Sequence, residues 1–321
     1  MKKILFLISL TFLIWSCEKN EIPIDPFERG NVQTAAVNMG SGYSNQVFYN
    51  LQTSLTTGQT DISSWDLAFE SSENGWKILL NDSRNMKAAR LDYTDIEMAT
   101  DSTGFGANAV VEVMEWVYTN PAMGNWRDGD GVYLVDLGFN SIGLPIGFYW
   151  LQIEAVDASE YSIRFKAYGS ETITEKIISK NPETAYVHYS MQEDRVLNVP
   201  SDEDWIIKFT KYTYLFDDPP IHYLVTGVVI NPIDTYTAEI GTKAFEDITA
   251  ADTLNLEWTD QPDAIGYDWK TYNFDSQTYD VNSERTWIIR TASGFYYKLR
   301  FTDFYDEGGN VGVPNFEYAL I

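Results

Sequence analysis

The side chains that could do chemistry in this sequence are few. The 321 residues include two histidines, His188 and His222, and one cysteine, Cys17. Either imidazole could act as a general base. Neither lies in a G-x-S-x-G or H-E-x-x-H setting that would activate a nucleophile or hold a metal. A single cysteine excludes an internal disulfide and a zinc–thiolate cluster. The run Arg127-Asp128-Gly129-Asp130-Gly131 has the acidic–glycine alternation of a calcium loop. It lacks the later ligands and the closing glutamate, and reads as a tight turn. No glycine-rich phosphate loop follows a strand and opens a helix. With 47 Asp and Glu residues, carboxylate pairs are too common to single out a site. This inventory points away from an enzyme and toward a binding or structural protein.

The elements that must position these residues begin at the N-terminus. Met1-Lys2-Lys3 is a short positive segment, and Ile4 to Trp15 is an uncharged, mostly apolar run. That run is too short to span a bilayer and has the length of a signal-peptide core. It ends in Ile14-Trp15-Ser16-Cys17, which resembles a lipobox. The expectation is a signal peptide over 1–16 and a lipidated Cys17 that anchors the chain to a membrane. Residues 17–40, with Pro23, Pro26, Gly40 and a charged start, read as the anchor and its tether. The acidic stretch Glu18 to Glu21 resembles the export signals of surface lipoproteins and favours the outer face of an outer membrane. A net charge of −25 argues against nucleic acid as a partner, because phosphate binding needs a basic face.

The body reads as strands. Aromatic residues make up 15% of the chain, which suits pleated surfaces. Trp65, Leu67 and Phe69 alternate with Asp66 and Ala68. Phe295, Tyr297, Leu299 and Phe301 alternate with Tyr296, Lys298 and Arg300. This is the period of half-buried strands. Asn74-Gly75, Asp218-Pro219-Pro220, Ser293-Gly294 and Gly308-Gly309 mark turns. Residues 244–250 suit one short helix, and 107–118 suit helix, strand or a mixture.

An internal repeat organises the strands. VFYNLQTSLTTGQTDISSWDLAF (47–69) aligns without a gap to VHYSMQEDRVLNVPSDEDWIIKF (187–209). His188 stands in the place of Phe48. A second echo relates the hairpin from Trp150 to Tyr168 to that from Trp287 to Tyr305. The expectation is an all-β, mainly antiparallel fold with minor helix, built from two tandem related modules over 41–175 and 176–321.

The segment from Trp287 to Phe304, with its following Gly-rich turn and final Pro314-Asn315-Phe316-Glu317-Tyr318, resembles the closing part of the HmuY-type haem-binding lipoproteins of Bacteroidetes. Ser64-Trp65-Asp66-Leu67-Ala68-Phe69 is similar to that family's opening Trp-Asp strand, and Tyr223 to Asn231 to a segment of its longer, duplicated members. The resemblance implies an HmuY-like all-β fold whose projecting hairpins grip haem or a related tetrapyrrole. It also implies surface exposure and a TonB-dependent outer-membrane receptor as partner, in iron acquisition. Haem iron takes an axial His, Met, Tyr or Cys. The family pattern places a ligand histidine shortly after a tryptophan before the last hairpin. Here that stretch is Trp269-Lys270-Thr271-Tyr272-Asn273-Phe274 and holds no histidine. The candidate axial ligands are therefore His222, beside the Asp218-Pro219-Pro220 turn, His188, and Met191 three residues beyond it. A surface glycan- or peptide-binding lipoprotein, or a structural envelope protein without a small ligand, are the alternative readings.

Overall fold

The computed structural model describes residues 30–321 except Asp130; the expected signal peptide (1–16), Cys17 and the expected tether as far as residue 29 lie outside the described residues. Ten strands fill the first half: β1 (Gln33–Ala36), β2 (Asn45–Asn50), β3 (Leu55–Asp61), β4 (Leu67–Glu70), β5 (Ile78–Leu80), β6 (Lys87–Leu91), β7 (Val110–Val111), β8 (Val132–Asp136), β9 (Phe148–Val156) and β10 (Glu160–Ala167). The second half adds β11 (Thr174–Ser179), β12 (Tyr186–Ser190), β13 (Arg195–Val196), β14 (Ile207–Asp217), β15 (Pro220–Ile230), β16 (Tyr236–Ile240), β17 (Lys270–Asn273), β18 (Thr278–Val281), β19 (Thr286–Arg290), β20 (Tyr296–Tyr305) and β21 (Val311–Leu320). All their pairings are antiparallel. The all-β expectation holds. Among the described residues, helix is confined to α1 (Phe105–Asn108) and short 3-10 turns, among them Phe245–Asp247 and Ala250–Asn255 where one short helix was expected. Residues 107–118 are mixed: the end of α1, then β7, then a 3-10 turn.

The two halves interlock. One large sheet has the order β11-β10-β9-β8-β6-β7, and another the order β1-β21-β20-β19-β16. The leading strand of each half therefore completes the sheet of the other. The exchange recurs in the smaller sheets, β13-β12-β4-β5 and β15-β14-β2-β3. Val47 pairs with Phe209 and Tyr49 with Ile207, as Val187 pairs with Phe69 and Tyr189 with Leu67. The cores follow the strands. Val37, Met39, Val47 and Tyr49 pack with Phe209, Trp287, Phe301 and Phe316 in one cluster. Val187, Tyr189 and Met191 pack with Leu67, Phe69, Val135 and Phe165 in the other. Each cluster is a sandwich of one large and one small sheet, closed by apolar side chains from both.

Four expectations need correction. The tether expected over 17–40 ends sooner, because β1 pairs with β21 and Val37 and Met39 are buried. Its partner strand lies almost a whole chain length away, so no local pattern announces it. The Trp65 to Phe69 stretch is not half-buried. Both faces are covered: Leu67 and Phe69 face one core, while Trp65 and Ala68 join a third cluster between the halves. The hairpin echo is offset by one strand. Both stretches are hairpins, β9–β10 and β19–β20, but Leu151 lies opposite Tyr133 as Leu299 lies opposite Trp287. The strand that corresponds to β9 is thus β20. The 175/176 boundary falls inside β11.

A buried ion pair fastens the exchange. Arg84 Nη2 lies 2.7 Å from Asp66 Oδ1, and both side chains are fully buried. Asp66 also accepts from the backbone N–H of Met191 at 2.6 Å and from the Gln192 side chain at 3.1 Å. One carboxylate of the first half thereby holds the end of β12 from the second.

Candidate functional site

The β14–β15 hairpin is the longest among the described residues, with partners from Ile207↔Ile230 out to Asp217↔Pro220. Its β-branched and aromatic residues suit strands, and Asp218-Pro219 supplies the turn. Only Ile207 to Phe209 pair with β2, so the outer part projects. Cross-strand partners point to the same face, and faces alternate along each strand.

One face carries Lys211 with Thr226, Thr213 with Leu224, and Leu215 with His222. Its inner end, Ile207 and Phe209, is part of the second-half core. Thr213 Oγ1 donates to the Asp82 carbonyl at 2.7 Å. Lys211 Nζ lies 5.8 Å from the ring centre of Tyr43. From Tyr43 a chain of aromatic rings runs outward. Tyr43 stacks on Phe304 at 5.7 Å, Phe304 meets Tyr279 at 5.0 Å, and Tyr279 meets Tyr272 at 5.1 Å. Tyr272 then meets Phe274 at 5.1 Å, at the tip of the β17–β18 hairpin, where Phe274 is 85% exposed.

The two hairpins are tied at their bases. Lys270 Nζ donates to the Thr226 carbonyl at 2.5 Å and lies over the rings of Trp269 and Phe304 at 4.3 and 4.8 Å. Burial pulls the Lys270 ammonium down to about 7, with Asp268 opposing the shift. Gly227 is required here. A Cβ at that position would strike the carbonyl of Gly266, where residues 262–266 run alongside β15.

The predicted ligands fall in different settings. His222 is exposed near the hairpin tip, and partial burial lowers its imidazole below the ordinary value. At neutral pH it is uncharged, the form that ligates a metal. His188 keeps little open surface and sits edge-on to Trp65, with ring centroids 4.6 Å apart. Burial, then the charge of Lys208, lowers its imidazole to about 3, and its Nδ1 has no hydrogen-bond partner. The cavity beside it measures about 50 Å³. Drug-sized ligands occupy roughly 300–1,000 Å³, so a tetrapyrrole does not fit there. Met191 is buried in the first-half core among Tyr189, Phe165 and Leu67. The structure therefore does not bring the three together. Among the described residues, no group of three or more His, Cys, Asp and Glu could hold a metal ion, and no helix is long and apolar enough to cross a membrane.

The sequence did not single out Tyr43, Lys211 and Tyr279 as companions of one another. Only tertiary contact joins them. The alternation of Tyr272 and Phe274 after Trp269 was the one local signal for the second hairpin.

The model of a protein family described as HmuY protein matches residues 42–318. Similar solved structures include apo PinO from Porphyromonas gingivitis, 12% identical, covering 91% of this chain and 97% of that one with a TM-score of 0.26. The apo HmuY analogue of Tannerella forsythia is 10% identical, covering 91% and 98% with a TM-score of 0.27. Identities and TM-scores this low add nothing to the family match. No curated protein matches the sequence.

Proposed function

The chain belongs to the HmuY family, and from that premise we propose that it is a surface lipoprotein that binds haem, or a related tetrapyrrole, between the β14–β15 and β17–β18 hairpins. The observation that carries this reading is the position of His222. It is an exposed, uncharged imidazole on the hairpin face whose inner end leads to the rings of Tyr43, Tyr279 and Tyr272. A tetrapyrrole needs an axial donor, an apolar and aromatic bed, and a cation for its carboxylates. On that face His222 supplies the first, the ring chain the second and Lys211 the third. Lys211 stands about 14 Å along the strand from the Leu215 pair of His222, at ~3.4 Å per residue.

In the same reading Cys17 carries the lipid anchor at the outer membrane. The protein binds without catalysis and passes its ligand to a TonB-dependent receptor. Residues 41–175 and 176–321 are related modules that have exchanged their leading strands. Asn81 and Asn231 support this. Each side-chain amide bridges two loop carbonyls, Ile62 and Trp65 in one half, Asp202 and Trp205 in the other. The long hairpin belongs to the second module alone, since β4–β5, its counterpart, is short. The axial donor and the cation of the ligand site therefore come from the second module.

Haem titration of the purified full chain tests the reading. The expected result is a shifted Soret band that saturates near one equivalent. A featureless titration at micromolar haem, in both iron states, would remove it.

A further inference from the structure

The opposite face of the β14–β15 hairpin plays no part in the site above. Tyr212 and Val225 pair across it at its inner end and are buried against Trp65 and Met114. Farther out Tyr214 pairs with Tyr223, and Phe216 with Ile221. Tyr267, from the segment alongside β15, joins them. Tyr214 meets Phe216 at 5.0 Å and Tyr267 at 5.0 Å, and Phe216 meets Tyr223 at 6.3 Å. All three contacts are steeply inclined, at 64–70°. The rings therefore point in several directions instead of stacking into a closed pile. Phe216 is 37% exposed and Tyr223 60%.

The charge around these rings has one dominant sign. Burial first, then the carboxylates of Asp263, Asp217, Glu115 and Asp268, push the Tyr214 phenol above its ordinary value. Asp268 is already paired with Arg285 at 3.0 Å. Asp217, Asp263 and Glu115, and Asp218 at the turn, form no ion pair among the described residues. Open aromatic faces carry negative quadrupole charge and attract cations within about 6 Å. Carboxylates beside such faces add to that attraction and repel anions such as the propionates of a tetrapyrrole.

We infer that this aromatic face of the β14–β15 hairpin is a docking surface for an arginine- or lysine-bearing loop of a partner protein. The side chain lies against Phe216 and Tyr223, and Asp263 and Glu115 supply the opposite charge. Aromatic residues and arginine are the groups that dominate protein interfaces. One hairpin thus presents two chemistries back to back, with the imidazole face on one side and the partner face on the other.

A short peptide with a central arginine, compared with the same peptide carrying neutral citrulline, tests this against the full chain at physiological salt. The arginine peptide is expected to bind at least fivefold tighter than the citrulline peptide. Phe216→Leu and Tyr223→Leu, which keep an apolar side chain and remove the ring, are expected to abolish that preference without changing the melting temperature. Three results would overturn the inference: no binding of the arginine peptide, equal binding of both peptides, or a preference that survives both substitutions. The last would assign the attraction to the diffuse field of a chain with net charge −25.

Discussion

Trp65 meets His188 edge-on, centroids 4.6 Å apart and planes at 89°, as Trp205 meets Phe48 at 5.2 Å and 79°. The imidazole occupies the place of a packing ring. His188→Phe is therefore expected to fold normally and to leave haem binding intact. It should also alter the pH dependence of stability. The imidazole titrates near 6.5 when the chain is unfolded and near 3 when folded. Below 6.5 the unfolded chain takes up a proton that the folded chain refuses. Stability from this group is full above 6.5 and is lost as pH falls toward 3, by at most ~1.4 kcal/mol per unit. Melting temperatures between pH 7 and 4 should fall more steeply for the native protein than for the variant. Parallel curves would show that His188 is not desolvated.

Asp66→Asn strands Arg84 as a buried, unpaired cation. Breaking such a pair costs about 3–5 kcal/mol. Because Asp66 also holds Met191 and Gln192 from the other half, urea unfolding should remain one transition, shifted to lower denaturant. A loss below about 1 kcal/mol, or two separate transitions, would contradict the interlocked description.

Lys211→Gln removes the cation proposed for a haem carboxylate. A charge-assisted hydrogen bond is worth about 1.5 kcal/mol or more, so haem affinity should fall roughly tenfold. Competition against a second haem-binding protein measures this. Unchanged affinity would place the carboxylates elsewhere.

Much of this was legible in the sequence, and the limits have physical causes. The alternation around Tyr297, Leu299 and Phe301 is kept because β20 sits inside its sheet with one face on the core. The ungapped repeat correctly placed His188 in the setting of Phe48. What the repeat could not show was the exchange of strands. Sequence likeness relates Val47 to Val187 but is silent on whether either pairs within its own half. The burial of Asp66 was hidden for a related reason. Its partner Arg84 and its acceptor contacts to Met191 and Gln192 come from separate stretches of chain. The ring chain from Tyr43 to Phe274 draws on β17, β18 and β20 and the loop before β2, which are adjacent only after folding.

The most direct measurement is the absorption spectrum of the ferric haem complex of the native chain beside those of His222→Ala and His188→Phe. Axial imidazole from His222 predicts that His222→Ala alone loses the Soret position and visible bands of the native complex, with His188→Phe unchanged. A native-like spectrum in His222→Ala would contradict the account and move the axial ligand away from the β14–β15 hairpin.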